Sequence, residues 1–521
     1  MTLYPAQDSA VRGEISPRLH ARASLDLYRL GLARCENFIT LPHGAIRKRG
    51  GSQFVAPVRT EERRSRLIPF RFSASSAYCL EFAHQAVRVY AYGGFVTEFA
   101  APWSEDQLPR LQFTQSADVM WVTHPNVAPR RIVRQSNTTW TVEEVLFRDG
   151  PFGTVNADES VRAYASGTNG SVTITTTGPV FTSADVGRLF RIEMESYANV
   201  HPWEPNGVIA SGNGEDAFVQ CRYEGNVYAI KTPILESWRF GNTPPTHLKG
   251  TEPDGPITYD ASYQDRVGVD LEYLHSGYGV GLITAVGGPN SATVTVLTRF
   301  PDETVGPTMA QFQWSFGAFG AGTHPVAVTL FEERLFFASG LSVYGSRTGD
   351  FTSFRIGEKD DDGLEFLLAA NEANEITWLA DADGFLAIGT VGGVRSLSGA
   401  GIDEALTPSS FKNRSSATER CSYLRPMNTN GAFLYVADGG RDLAEMVVNQ
   451  SSRFESAPLF QVSEHIPKQG GGIIASGFQE RPDPIAWLPM ANGELAAITY
   501  QRDQEVRGAH RHRAFRADAI H

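Results

Sequence analysis

Trp487-Leu488, then Asn492-Gly493, then Leu495-Ala496-Ala497-Ile498-Thr499-Tyr500: two short apolar runs flank the residue pair that a type I′ turn requires. Both central positions of such a turn need positive φ, which Asn and Gly adopt most readily, so the stretch reads as a β-hairpin. The same unit recurs towards the N-terminus. Phe433 to Val436 runs into Asp438-Gly439-Gly440. Val394 to Leu397 follows Gly392-Gly393, and Trp378-Leu379 and Phe385 to Ile388 flank Asp381-Ala382-Asp383-Gly384. Arg334-Leu335-Phe336-Phe337-Ala338 is a further strand. Tyr78, Leu80 and Phe82 share one face of an alternating run that resumes at Val87 and Val89 after a short turn. Trp121-Val122 lies in another strand before Pro125-Asn126.

Residues 157–310 differ in texture. They are rich in Thr, Ser and Gly, as in Ser171-Val172-Thr173-Ile174-Thr175-Thr176-Thr177 after Asn169-Gly170. Gly287-Gly288-Pro289-Asn290 separates Ile283 to Val286 from Thr293 to Leu297, another hairpin. The division expected is an N-terminal arm (1–66), a first body segment (67–156), one or two inserted small sandwich- or barrel-like β domains (157–310) and a second body segment (311–521). Small antiparallel units without a strict repeat fit the blades of a β-propeller or a large sandwich. Helices are expected to be few, the best of them near the start, where Arg22 to Asn37 is expected to be helical at least in part, with Pro17 as an opening residue and a loose Leu face.

The 521 residues are 41% hydrophobic and 20% charged, a globular profile with room for several cores. The opening Met1-Thr2-Leu3-Tyr4 has no signal-peptide pattern, and the four dispersed cysteines, Cys35, Cys79, Cys221 and Cys421, match no zinc spacing. Folding in a cytoplasm with free thiols is the expectation. Net charge is −12, unevenly spread: residues 1–66 hold 12 Lys and Arg against 6 Asp and Glu, a net of +6, which leaves −18 on the rest. A basic arm on an acidic body suits docking to an acidic partner, although only 6 of the basic residues are Lys and an Arg-rich coding bias would leave the same mark.

Chemistry-bearing motifs are sparse. No P-loop, His-Glu-x-x-His or Gly-x-Ser-x-Gly run occurs, and the glycines of Gly317 to Gly322 lead into His324-Pro325 rather than a helix. His510 and His512 alternate on one strand face but lack a third metal ligand, so they read as an exposed terminal strand. Asp381 and Asp383 would share one strand face, and paired carboxylates could hydrolyse glycosides, but turn chemistry explains them first. Trp121, Trp140, Trp378 and Trp487 read as core. No enzyme activity, cofactor or metal is expected.

Five ordered segments resemble the tail nozzle family of short-tailed bacteriophages (podoviruses), also called tail tubular protein B. The first runs Gly13-Glu14-Ile15-Ser16-Pro17-Arg18, through Leu25-Asp26-Leu27-Tyr28 and Gly31-Leu32-Ala33-Arg34-Cys35-Glu36-Asn37-Phe38, to Leu41-Pro42-His43-Gly44-Ala45-Ile46-Arg47-Lys48-Arg49-Gly50. Ala45 stands where the family pattern has a second glycine. The others are Gln115 to Met120 with Pro129-Arg130-Arg131; Gly150-Pro151-Phe152; His324-Pro325 with Glu333 to Phe337 and Gly345 to Phe351; and Gln479-Glu480-Arg481-Pro482 through Asn492-Gly493 to His512. At Ala509 the family has Trp. The 157–310 block matches less well.

The resemblance implies a β-propeller platform with inserted β domains. It implies a structural virion protein: a homo-hexameric ring in the tail, assembled in the bacterial host, below the adaptor ring of the portal. The ring would hold the genome and pass DNA without reading its sequence, beside tail fibres or other tail proteins and near the host surface. Under that reading Arg18, Arg22, Arg47, Lys48 and Arg49 are candidates for the adaptor contact. Glu358, Asp360, Asp361 and Asp362 are candidates for an acidic lumen or gate that repels phosphate. Plain helix or loop charges are the competing reading of both groups. Arg63, Arg64 and Arg66 touching DNA phosphates is a less favoured option, since no nucleic-acid module surrounds them. Two rival functions stand beside this one: an inserted domain that grips host surface glycans, and a propeller glycosidase using Asp381.

Overall fold

The structure is a computed structural model; it describes residues 9–513 apart from 20, 23, 74–75, 199, 212–215, 369–374, 383, 402–403, 430–431 and 449–453. The chain divides into two compact units, one of residues 1–145 and 322–521, the other of residues 146–321.

Among the described residues, the first unit holds six four-stranded antiparallel sheets, each a meander of consecutive strands. Blade one is Arg66–Arg71, Ala77–Ala83, Ala86–Ala91 and Gly94–Ala100. Blade two is Gln112–Ser116, Val119–His124, Val127–Arg134 and Trp140–Glu144. Blade three is Ala327–Phe331, Arg334–Ser339, Ser342–Gly345 and Leu364–Leu367. Blade four is Ile376–Asp381, Leu386–Thr390, Gly393–Ser398 and Lys412–Ala417. Blade five is Met427–Thr429, Ala432–Ala437, Asp442–Val448 and Phe454–Pro458. Blade six is Gly477–Gln479, Ile485–Pro489, Leu495–Gln501 and Val506–His512.

The first strands of successive blades touch. Gln115 exchanges hydrogen bonds with the backbone of Arg71, Ala327–Phe331 packs on the first strands of blades two and four, and Asn428 donates to the Asp381 carbonyl. Blades five and six meet in the same way. The fourth strands lie outermost: that of blade four, Lys412–Ala417, is mostly exposed, and that of blade six is covered by the N-terminal segment. Inner first strands and outer fourth strands make this unit a β-propeller.

Apolar layers between blades hold it together. Trp378 is fully buried and packs against Phe433 and Tyr435 of blade five, at ring separations of 5.5 and 6.0 Å. The indole lies flat across the neighbouring strand because residue 389 is glycine: a Cβ there would stand 2.1 Å from its Cε2. Gly345 makes room for Phe336 in blade three in the same manner.

The second unit is an insertion between blades two and three. A six-stranded antiparallel sheet is built around the long hairpin Tyr278–Gly288 and Ser291–Thr298. Phe181, Phe190 and Ile174 are buried beneath it, with Trp314 and Phe316 against them. Two smaller sheets share a second core of Trp203, Tyr228, Trp238, Phe240 and Leu271. The buried Asp254 carboxylate ties that core, accepting N–H groups from Trp203 (2.9 Å), Gly241 (2.8 Å) and Val269 (2.7 Å). Burial pushes its pKa up against these hydrogen bonds.

Three expectations take a finer form. The Arg22–Asn37 helix is one turn, Asp26–Arg29, after a 3₁₀ turn at Pro17–Leu19. Residues beyond it bridge to other strands instead, Leu32 to Glu14 and Glu36 to Arg511. The Asn492-Gly493 hairpin forms, but not through a two-residue turn: residues 490–494 make the loop, Met490 donates to the Glu494 carbonyl, and of the pair only Gly493 has positive φ. The inserted unit begins at 146 and ends at 321, where the sequence suggested 157 and 310.

Gly389→Ala should lower the unfolding free energy by about 1–3 kcal/mol, the usual cost of overpacking, measured by denaturant titration. An unchanged midpoint would mean that the indole has space to move.

Candidate docking site at the joined chain ends

The N-terminal segment runs along the last blade. Gly13 pairs with Ala509 and Glu36 with Arg511, both in parallel bridges. Gly13 has φ +63°, and a Cβ there would sit 2.1 Å from the Ala509 carbonyl oxygen, so glycine is required twice over. Gly508 likewise lets Thr40 approach.

Glu14 lies at the centre of this clasp, 1% exposed. Its Oε1 accepts hydrogen bonds from Arg511 Nη2 (2.6 Å) and His465 Nε2 (2.8 Å). Its Oε2 accepts from the Cys35 N–H (2.9 Å) and Arg511 Nε (3.3 Å). Burial would raise the carboxyl pKa, but the bonds from His465, the Cys35 N–H and Arg511 outweigh it and hold the group below its ordinary range. Beside it the Ser463 hydroxyl donates to the Glu14 carbonyl, and the Ser16 hydroxyl donates to Glu464 at 2.8 Å. Three distant stretches, 13–16, 35 and 463–465, are thereby fixed to the final strand.

The basic candidates sit around this clasp. The Arg18 side chain is 78% exposed and 3.7 Å from Glu464. Arg47 is exposed and forms an ion pair with Asp483. Arg22 and Lys48 are exposed, and neither side chain has an ion pair among the described residues. Arg49 is half-buried, and its charge helps to lower the pKa of His512. The segment is thus a surface of the last blade and not a free arm.

His510 and His512 are corrected: they are 0% and 1% exposed. The strand that carries them is covered by the N-terminal segment. His510 Nδ1 and His512 Nε2 are 2.6 Å apart, so one proton lies between them, and His510 Nε2 meets the Thr499 hydroxyl at 3.0 Å. Burial, then the neighbouring imidazole, lowers His510 to about 3; burial, then Arg49, lowers His512 to about 4. Among the described residues no cluster of three or more His, Cys, Asp or Glu side chains could hold a metal.

The acidic loop is a clamped structure. Arg334, 2% exposed, donates to the carbonyls of Ser346 (2.9 Å), Asp360 and Asp362. Arg347 forms an ion pair with Asp361 and lies 3.4 Å from Asp362. Only the side chains of Glu358 and Asp360 remain exposed without an ion pair among the described residues. Asp381 is an exposed residue at the end of its strand, and Asp383 lies outside the described residues. Trp121, Trp140 and Trp378 are buried and Trp487 partly so. All four cysteines are free thiols.

No family model matches the chain, and no curated protein does. Among solved structures it is similar to a putative 6-phosphogluconolactonase from Bacteroides uniformis, at 9% identity and a TM-score of 0.32 over 85% of this chain and 94% of that one. It is also similar to Citrobacter koseri AztD (8%, TM-score 0.29, 83% and 80%) and to the computationally designed Ika8 protein (9%, TM-score 0.23, 82% and 94%). At these TM-scores the likenesses carry no argument about this chain's activity.

Glu14→Ala should cost about 3 kcal/mol or more, because Arg511 loses its partner in a mostly buried site. Denaturant titration would read this, and trypsin should then cut near Arg22 faster than in the parent chain. The histidines give a pH dependence. Unfolded imidazoles protonate near the ordinary 6.5, whereas folded His510 and His512 stay neutral to about 3 and about 4. Protons therefore favour the unfolded chain, and stability should fall as pH drops from 6.5 towards 4. His512→Gln should flatten that fall when unfolding is followed across the same pH range.

Proposed function

We propose that this chain is the tail nozzle subunit of a short-tailed bacteriophage: a homo-hexameric structural protein below the portal adaptor that holds the genome and passes it at ejection. One observation carries the reading. The family-like segments at the two ends of the sequence, Gly13 to Phe38 and Gln479 to His512, form one folded feature, the Glu14 clasp. Their likeness to the family thus falls on a single architectural element, which supports the reading. The propeller with one large insertion agrees with the architecture that the resemblance implies. The exposed Arg18, Arg22 and Lys48 beside the clasp supply the cationic edge for an acidic adaptor, while a net charge of −12 on each subunit disfavours DNA adhesion. A ring of this kind needs heterologous contacts that close by rotation.

Negative-stain imaging of the protein, alone and mixed with its adaptor ring, tests this. Sixfold rings with a central channel are expected, and the double variant Arg22→Glu, Lys48→Glu should weaken adaptor binding at least tenfold at low salt. Monomers indifferent to the adaptor would count against the proposal.

A second reading, glycan binding by the insertion, is favoured by the exposed Tyr259 (64%) and Tyr263 (45%), the latter with Arg239 4.6 Å from its ring centre. Aromatic faces of this kind suit sugar rings. Binding of the protein to host cells that is lost in Tyr259→Ala would support this second reading over the first.

A further inference from the structure

The inner strands of the propeller begin at a common face, because every blade is a four-stranded meander and each first strand therefore starts where the previous one did. The residues that open those strands converge there. Arg66 is the first residue of blade one, Arg110 lies two residues before blade two, Glu375 one before blade four and Arg425 two before blade five. Contacts reach across the axis: the Gln112 amide donates to the Tyr423 carbonyl, and Arg110 lies 3.7 Å from Glu375. This mouth is rich in guanidinium groups.

Their hydrogen bonding is incomplete. Arg66 uses Nη1 to cap the carbonyls of Leu108 (2.9 Å) and Leu111 (2.8 Å), leaving Nε and Nη2 with no acceptor among the described residues. The Arg425 guanidinium has no hydrogen bond or ion pair among the described residues; it lies over the Phe113 ring at 4.6 Å. Burial lowers both groups to about 10, and the Arg425 charge adds to the effect at Arg66. Arg110 is engaged already, over the Tyr423 ring at 4.3 Å and with Glu375, which also accepts the Tyr423 hydroxyl at 2.6 Å. Its charge reaches the buried His124, held neutral at about 4 first by burial and then by Arg110.

Two partly buried guanidiniums held close together without an anion repel one another, and solvent screens that repulsion only in part. Three guanidiniums against one carboxylate leave an excess of two positive charges. A phosphoryl group carries close to two negative charges at neutral pH and offers three or more oxygens to guanidinium forks. A single carboxylate matches neither the charge nor the number of donors.

We propose that the propeller mouth is a phosphate site, in which Arg66 and Arg425 bind one phosphoryl dianion and Arg110 supports the field. The proposal is independent of the nozzle reading. The mouth would take a single phosphoryl group, either free phosphate or that of a small phosphoester.

Isothermal titration of the full chain with inorganic phosphate, at constant ionic strength in chloride buffer, tests it. One saturable site per chain is expected. Arg425→Gln should weaken binding at least tenfold and Arg425→Lys less, while Arg18→Gln, far from the mouth in sequence and ion pairing, leaves it unchanged. The lysine variant keeps the test available should the glutamine variant fail to fold. Glucose 6-phosphate in the same assay separates the sources: tighter binding than phosphate assigns a phosphoester, weaker binding the free ion. No saturable heat from phosphate, equal affinity in Arg425→Gln, or binding of acetate in preference to phosphate would overturn the proposal.

Discussion

A carboxylate sealed from water must have its oxygens met by donors, or the fold that buries it pays in stability. Glu14 meets that demand with three partners from three parts of the chain: His465, Arg511 and the Cys35 amide. Each partner fixes something further. Arg511 sets the register of the last strand against the N-terminal segment, His465 ties the short helix His465–Gln469 to it, and Cys35 anchors the stretch that follows the helical turn Asp26–Arg29. The glycines at 13 and 508 follow from the same closeness, since both backbones must approach within contact of another strand. So does the burial of His510 and His512, which leaves the final strand without titrating surface.

Elsewhere stability is divided among repeated local solutions. Each blade is a small antiparallel sheet with apolar side chains towards its neighbours, and in blades three and four a glycine on the adjoining strand, Gly345 or Gly389, gives a large ring, Phe336 or Trp378, its place. The insertion has separate cores and its own buried acid, Asp254, satisfied by N–H donors only. Such independence explains how a propeller can carry 176 residues between two blades (146–321) without disturbing the meander on either side.

Hairpins were legible because they depend on neighbours in sequence. The strands around residues 78–89, 334–338, 378–397 and 433–436 lie where alternation and turn residues put them. The N-terminal helix was not, because its Leu spacing satisfies a helix locally while the tertiary bridges of Leu32 and Glu36 prevail over propensity. The clasp was invisible for a related reason: Glu14 and Arg511 are 497 residues apart, and nothing in the spacing of either announces the other. Glu14 is the only charged residue of Gly13-Glu14-Ile15-Ser16-Pro17, and an acid between small and apolar residues was the one available hint. The acidic run at 358–362 was legible only in part. Glu358, Asp360 and Asp361 are exposed, as the charge count suggests, but the bonds from Arg334 and Arg347 that hold the loop together come from residues the run itself does not announce. The guanidinium mouth belongs to the same class, since only blade topology brings Arg66 near Arg425.

The central claim is that the two ends of the chain are one cooperative element. Native-state hydrogen exchange measures this directly, because amides that open together share one opening free energy. The Glu14 amide bonds the Ala509 carbonyl, that of Asn37 the Arg511 carbonyl, and that of Arg511 the Cys35 carbonyl. These three should exchange with a common free energy, close to that of the inner strands of blade six. Exchange at Glu14 and Asn37 orders of magnitude faster than at Arg511 would contradict it, and would make the N-terminal segment a loose appendage to a propeller that closes without it.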